Sequence, residues 1–455
     1  MAAIRPRVLA VHIPSLNHTA PRRSKHFQTV SKPKKIGEAQ GSSARTIGRT
    51  AATLMTAGMI IGTGIFGALG ATAEKAGGAL LLTMLPGGLV CLATGISGAQ
   101  LGVNFPRHGG AFVWARAFHY NKLAFVAGCC YVGQGIVGLS VVSLAFAYYS
   151  AQLVPGLPIH LAAGAIVLAA IALNSFGISF TSKVIIGLMV AIVSLLGGFV
   201  FLLAPHVELT RLAPTLDKGP LGFMAGAAIF FWAWDGFMRT AIMAGEIKYP
   251  RRTIPFSILG GIAIAAVVYY AVAATTLGVL GAQEIAKDDV PLFRAGVQAI
   301  GLWGGSLILA AAWMASISEL VSDLLSVSRV ALAMGEAHEL PEWFGKLHPR
   351  FKVPRHAVLV IGGFVVAVVL VFDLRQVLPL ASFYLLVWFV ITNYSALQLK
   401  KEQRLFSRFF SWFGLAGCFV LIFFIPPFAL IIGAGTLALA TVVRFIARHE
   451  LKLLS

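Results

Sequence analysis

The sequence predicts an all-α polytopic membrane protein with twelve membrane-spanning helices. Of its 455 residues, 58% are hydrophobic and 12% are charged, whereas a soluble globular protein carries about 25% charged residues. Many apolar runs along the chain are about 20 residues long, which is the length that a helix needs to cross a bilayer. These runs are apolar on every side, whereas barrel strands alternate apolar and polar residues, so helices are expected.

Short connections separate the runs and leave no room for a large soluble domain. We expect a basic tail at 1–49, a ten-span core at 50–398, and two additional spans with a short C-terminus at 399–455. Between the seventh and eighth runs, "AQEIAKDDVPLFRAGVQAIG" predicts a short helix across the outer face. The runs lie at 51–73, 79–102, 123–151, 159–175, 182–204, 221–245, 254–280, 304–333, 356–372, 376–398, 408–425 and 427–447.

Membrane topology explains the net charge of +19 better than nucleic-acid binding does. With a cytoplasmic N-terminus, six Lys and Arg residues fall in outer connections, and eighteen fall in inner connections and the C-terminal tail. This asymmetry follows the positive-inside rule, and an even number of spans places both termini in the cytoplasm. The tail at 1–49 has no apolar stretch of signal-peptide length. We expect a disordered cytoplasmic tail, with a targeting segment or a misassigned start codon as alternatives.

The first and sixth runs are the two most disrupted by glycine and polar residues. The first contains "AGMIIGTGIFGALG", and the sixth contains "FFWAWDGFMRTAIMAGE" with Asp235 and Gly236 in mid-span. Counting five runs on from the first leads to the sixth, and paired interruptions in corresponding halves of a chain indicate an inverted-repeat transporter. The pattern predicts a five-plus-five fold with discontinuous helices 1 and 6.

Glycine lacks a Cβ, so the backbone can leave the helix at Gly62-Thr63-Gly64 and a ligand can approach it closely. The freed N–H groups and the positive end of the following half-helix would attract a carboxylate, and the preceding carbonyls would attract an ammonium group. The sixth run offers the same groups in reverse. The alternative is that these glycines permit close helix packing, since Gly58 and Gly62 have G-x-x-x-G spacing.

Four motifs support the transporter interpretation. They are "IIGTGIF" in the first run, "FPRHGGAFVWARAF" after the second, "FFWAWDGF…AGEIKYPRRTIP" in and after the sixth, and "SRVALAMGEAHELPEWFGKLHPRFKVP" from the eighth into its loop. Together they resemble the amino acid–polyamine–organocation (APC) permeases over roughly residues 45–450. That resemblance implies a LeuT-like five-plus-five fold and transport of amino acids or amines by alternating access.

The resemblance also implies a substrate site. Gly62, Thr63 and Gly64 would bind the carboxylate, the carbonyls of Ile60, Trp232 and Asp235 would bind the amine, Trp232 would gate the site, and Gly236 would lie in the unwound part of the sixth helix. Two departures concern coupling. Met238 stands where many relatives have an acid, and the fifth run lacks the mid-span lysine of some proton-coupled relatives, with Ser194 near that depth.

Acidic residues inside the spans are candidates for coupling, because a charge at mid-span costs about 2.5–3.5 kcal/mol on insertion scales. Asp235 either pairs with Arg239 four residues later or lies beside the substrate amine or a proton path. Glu319 and Asp323 on the eighth run either form a proton relay, line a wet cavity or pair with Arg329.

Three further residues are candidates for coupling or gating. Ser316 and Ser318 are possible sodium ligands. Glu246, at the inner mouth of the sixth run, is either a gating partner of Arg107 or Arg116 or a solvated loop charge.

These features predict a secondary transporter of amino acids or related amines in the cell membrane, coupled to protons or acting as an exchanger. The alternative is a non-transporting amino acid sensor, although no signalling domain is appended. No set of residues predicts a catalytic centre, and the four cysteines, all inside spans, have no metal spacing. No cofactor or nucleic-acid partner is expected. The substrate side chain, the coupling ion and the oligomeric state do not follow from the sequence.

Overall fold

The computed structural model describes residues 47–106, 109–177 and 182–453, so most of the predicted tail at 1–49 lies outside the described residues. The described residues form seventeen α-helices and no strand. They are α1 Arg49–Ile60, α2 Gly64–Ala76, α3 Leu80–Asn104, α4 Gly110–Ala117, α5 Asn121–Ser150, α6 Ile159–Ser175, α7 Ser182–Leu203, α8 Gly219–Phe230, α9 Met238–Ile242, α10 Pro250–Leu280, α11 Ala282–Lys287, α12 Pro291–Ile300, α13 Leu302–Glu336, α14 Arg355–Val371, α15 Leu374–Leu397, α16 Arg408–Phe423 and α17 Pro427–Leu453.

Each of the twelve predicted runs contains helix. Seven helical stretches are long and apolar enough to cross a membrane, and four shorter apolar helices accompany them within the described residues. The chain is therefore an integral multi-pass membrane protein, and the count of twelve spans stays a prediction. The seven stretches are Gly64–Asn104, Asn121–Ser150, Lys183–His206, Pro250–Leu280, Leu302–Glu336, Leu374–Leu397 and Pro427–Ile446.

The first run is interrupted where its glycines predict. Helix α1 ends at Ile60 and α2 begins at Gly64. The Ile61 N–H still bonds to the Ala57 carbonyl at 2.8 Å, but the Gly62 N–H turns back to the Ile60 carbonyl at 2.7 Å. The ladder of i to i−4 bonds therefore stops at this point, and the N–H of Thr63 is released from it.

The sixth run is interrupted at the corresponding place. Helix α8 ends at Phe230, a 3₁₀ turn covers Phe231–Trp234, and helix resumes with α9 at Met238. Gly236 lies in the gap with φ +110°, a backbone conformation that side chains with a Cβ rarely adopt. This glycine allows the sharp change of direction between the two halves.

The halves of the interrupted runs pack against each other and against long helices. Helix α5 packs against α13 and α15, α1 packs against α10, and α2 packs against α8. The sixth run itself contributes large buried aromatic side chains beside its interruption, among them Phe230, Phe231 and Trp234. Only 11% of the most apolar stretch of helix α17 is buried, as expected for a helix whose sides contact lipid.

Short helices and ion pairs close one end of the bundle. The predicted outer helix is present as two, α11 and α12, and α11 packs against α2. Arg375, at the start of α15, bonds to the Glu74 carboxylate at 2.9 Å and to the Asp289 carboxylate at 2.7 Å. It therefore joins three separate segments across this face.

At the opposite end, an isolated bridge joins the chain that enters α1 to the segment after α9. The Ile47 N–H donates to the Glu246 carbonyl at 3.2 Å, and the Lys248 N–H donates to the Ile47 carbonyl at 2.9 Å. The residue that precedes the first span is thus held beside the end of the sixth.

Candidate functional site

The two helix interruptions lie directly against each other. A Cβ placed on Gly64 would lie 2.7 Å from Ala233 Cα, and one placed on Gly236 would collide with the Met59 carbonyl. Both approaches are far closer than an ordinary carbon contact of about 3.5–4.0 Å. Glycine is therefore required at both positions by the approach of the two backbones, which accounts for two of the residues that the sequence singles out.

A protein carboxylate occupies the donors that the sequence assigns to a substrate carboxylate. The Thr63 backbone N–H donates to Glu319 Oε2 at 2.8 Å, and the Thr63 hydroxyl donates to the same oxygen. A Cβ on Gly62 would collide with this oxygen, so glycine is also needed here. The positive end of α2 thus holds the carboxyl group of Glu319 on α13, at the place where the dipole argument favours a carboxylate.

The Ile60 carbonyl, one of the three assigned to the substrate amine, also has a hydrogen-bond partner within the protein. The Tyr269 hydroxyl of α10 lies 2.6 Å from the Ile60 carbonyl oxygen and 2.9 Å from the Ala233 carbonyl oxygen. Its one proton links the carbonyl ends of the two broken helices. Sequence reasoning missed Tyr269, although a tyrosine in mid-span, far from the interfacial belts that favour this residue, is a usable signal.

The charged residues of the sixth run bond to other helices rather than to each other. Asp235 accepts a hydrogen bond from Gln134 Nε2 of α5 at 3.0 Å. Arg239 forms an ion pair with Asp323 of α13, with both side chains 13% exposed. The sequence left open a pair between Asp235 and Arg239 as on a continuous helix, but the turn at Gly236 interrupts that helix and sends the two side chains to different neighbours.

Four buried polar atoms near the interruptions have no hydrogen-bond partner among the described residues. They are the indole N–H groups of Trp232 and Trp234, the hydroxyl of Ser316 and the second oxygen of Asp323. Buried polar groups are normally hydrogen-bonded. Each of these atoms is thus a candidate contact for a water molecule, an ion or a ligand.

A cavity of about 420 Å³ opens beside the first interruption, a size that suits a small molecule. Of the predicted site residues, Gly62, Glu246, Ser318 and Glu319 line it, whereas Ile60, Thr63, Gly64, Ser316, Trp232, Asp235, Gly236 and Asp323 do not. Arg239 also lines it. Glu319 and Arg239 therefore belong to the wall of the cavity, and each bonds to a residue beyond the lining.

The cavity extends toward the end of the bundle that carries Glu246, Gly109 and Arg329. Glu246 is a half-buried part of this lining. Of the two arginines suggested as gating partners, Arg107 lies outside the described residues, and Arg116 lies 3.8 Å from Glu339 Oε1. The structure thus gives Arg116 a different acidic partner, contributed by the segment after α13.

A helical membrane protein whose two interrupted helices meet beside a cavity of small-molecule size has the architecture of a membrane transporter. A family model described as amino acid permease matches residues 47–446, and the chain belongs to this family.

Relatives with curated names agree with this assignment. An uncharacterized transporter of Mycobacterium tuberculosis is 32% identical over 401 residues, covering 86% of this chain and 89% of its own. The branched-chain amino acid permease BcaP of Bacillus subtilis is 27% identical and covers 81% of this chain and 84% of its own. Cationic amino acid transporter 4 of Homo sapiens is 28% identical and covers 82% of this chain and 62% of its own.

Proposed function

We propose that this protein is a secondary transporter that moves an amino acid or a related amine across the cell membrane by alternating access. The observation that carries the proposal is the contact between the interruptions of the first and sixth runs, beside a cavity that opens toward one end of the bundle. Such discontinuous helices place the ends of backbone dipoles at mid-membrane depth, where they can bind a polar substrate. Membership of the amino acid permease family supports the same function.

The proposed architecture has twelve spans. The ten spans at 50–398 form a transport core of two inverted five-helix repeats, and 399–455 adds two spans. The tail at 1–49 and the C-terminus are proposed to be cytoplasmic, because Lys and Arg concentrate in the connections on that side. The cavity mouth at Glu246 and Arg329 then faces the cytoplasm, and the Arg375 ion pairs close the outside. This is the arrangement of an inward-facing state.

The proposed substrate site comprises the two interruptions and the side chains around them. Thr63 and Gly64 would offer N–H groups to a carboxylate, and the carbonyls of Ile60, Trp232 and Asp235 would accept from an amine. Trp232 would cover the substrate. One relative is named for branched-chain and another for cationic amino acids. The amine and carboxylate common to both are therefore the groups that we assign to this site.

Coupling to protons, or exchange of substrates, is the energy source that we propose. Three carboxylates, Asp235, Glu319 and Asp323, lie around Arg239, which lines the cavity and neutralises Asp323 directly. Carboxylates inside a membrane commonly carry protons. Sodium is the second candidate, since the Ser316 hydroxyl has no hydrogen-bond partner among the described residues and Ser318 lines the cavity.

The test is reconstitution of the full chain in liposomes with a panel of labelled amino acids and amines. Liposomes preloaded with unlabelled substrate are expected to accelerate entry of the labelled substrate, because a carrier returns faster when loaded. An imposed proton gradient, an imposed sodium gradient or neither identifies the coupling. Binding without any accelerated exchange would overturn the transporter and favour a sensor.

A further inference from the structure

We propose that the side chain of Glu319 is a built-in occupant of the carboxylate subsite, so that an amino acid substrate binds only by displacing it. This inference rests on the proposed function and adds a specificity-determining residue to its site. It starts from one observation. The donors at the first interruption, which are the features of the chain best suited to hold a substrate carboxylate, already hold a carboxylate of the protein.

The fit between Glu319 and the interruption is specific. Both the N–H and the hydroxyl of Thr63 point at the same oxygen, Oε2. A Cβ on Gly62 would collide with Oε2 and would lie 3.0 Å from the carboxyl carbon of Glu319. The glycine therefore leaves room for one carboxylate group at this place. Hydrogen bonds in which the acceptor is charged are among the strongest that a protein makes.

Two carboxylates cannot share these donors. If Glu319 stayed, the substrate carboxylate would lie against a second negative charge and would lack the Thr63 donors. Asp235 and Asp323 add further negative charge nearby, and Arg239 already pairs with Asp323. Glu319 itself lines the open cavity, so its side chain can turn toward water when it leaves Thr63. Exchange of one carboxylate for the other is the arrangement that keeps both solvated or paired.

This exchange predicts how the site discriminates between ligands. A ligand with a carboxylate must compete with Glu319, whereas an amine without one need not. The pairs L-leucine with isoamylamine and L-lysine with cadaverine each differ only in the α-carboxylate. Weakening the internal competitor should therefore improve binding of the amino acid relative to its amine partner. The ratio of the two dissociation constants is the quantity to measure.

The experiment titrates the full-length protein with all four probes by intrinsic tryptophan fluorescence. The variants are Glu319→Ala, which removes the competitor, and Glu319→Asp, which keeps its charge but is one methylene shorter. Both should tighten amino acid binding at least tenfold relative to the matched amine. Glu336→Ala is the control, because Glu336 is an exposed acid on the same helix that does not contact Thr63. It should leave the ratio unchanged.

Folding of each variant is checked by thermal unfolding in detergent. If Glu319→Ala and Glu319→Asp fail to fold, Glu319→Gln supplies the result. Its amide oxygen preserves a neutral acceptor for Thr63 and should shift the ratio in the same direction by a smaller factor. An unchanged ratio in the folded variants, or equal weakening of both members of each pair, would overturn the proposal. A wild-type protein that accelerates exchange of no probe would instead overturn the proposed function itself.

Discussion

Replacing Gly64 by alanine tests whether the close contact of the two helix interruptions matters for transport. The added Cβ would lie 2.7 Å from Ala233 Cα, 2.9 Å from its Cβ and 3.0 Å from its carbonyl oxygen. An ordinary carbon contact is about 3.5–4.0 Å, so the two backbones must separate by about 0.8 Å. The nearest atom belongs to the backbone, which cannot swing aside as the end of a flexible side chain would.

Overpacking of this kind costs about 1–3 kcal/mol, partly offset because alanine favours helix over glycine by up to about 1 kcal/mol. Gly67→Ala is the matched control, one turn further along α2. Its Cβ would lie 3.6 Å from Val141 Cγ1 and 3.7 Å from Ala145 Cβ, which are ordinary contacts. The control gains the helix preference without the collision. Gly64→Ala should therefore be about 1–3 kcal/mol less stable than Gly67→Ala.

The assay is thermal unfolding of both variants in detergent, followed by counterflow in liposomes. Gly64→Ala should lose most exchange activity while Gly67→Ala retains it, and Gly64→Leu should abolish uptake but still insert into the membrane. Equal stability and equal exchange for Gly64→Ala and Gly67→Ala would refute the reasoning, because the contact between the interruptions would then have no energetic consequence.

Three other predictions follow from individual contacts. Asp235→Asn keeps the shape that bonds to Gln134 but removes the charge, so exchange of L-lysine should fall more than exchange of L-leucine, and equal loss would leave the charge argument unsupported. Tyr269→Phe removes the hydroxyl shared by two carbonyls and should lower stability by about 0.5–1.5 kcal/mol in thermal unfolding; no change would show that the link is not needed. In the loop before α8, the Gly78 N–H lowers the pKa of Asp217 below 3.8. The contribution of this carboxylate to stability is thus complete above about pH 5 and is lost as the pH falls from there through the lowered pKa, and Asp217→Asn should remove that part of the pH profile of the melting temperature.

The sequence predicted the helix interruptions because their causes are local. Glycine at 62 and 64 and the Asp235-Gly236 pair weaken helix regardless of what surrounds them. The anion preference of the first interruption also followed from the released N–H groups alone. The structure contains an interruption at each place and the carboxyl group of Glu319 at the first.

The identity of that acidic side chain was not predictable, because it depends on long-range packing. Glu319 and Thr63 are 256 positions apart in the chain, and nothing near either residue indicates the other. The i, i+4 rule suggested Asp235 as a partner for Arg239, but that rule assumes a continuous helix, and the turn at Gly236 removes the assumption. Tyr269 was overlooked for a similar reason, since its two carbonyl partners are exposed only by the interruptions.

The bridge between Ile47 and the segment after α9 bears on how the cavity opens at this end of the bundle. Two backbone hydrogen bonds tie the start of α1 to the end of the sixth run. Any movement that pulled the start of α1 away from the end of the sixth run would break both bonds. The start of α1 and the end of the sixth run are therefore expected to move together. A force applied to the chain just before α1 would be transmitted through these bonds to Glu246, which lines the cavity.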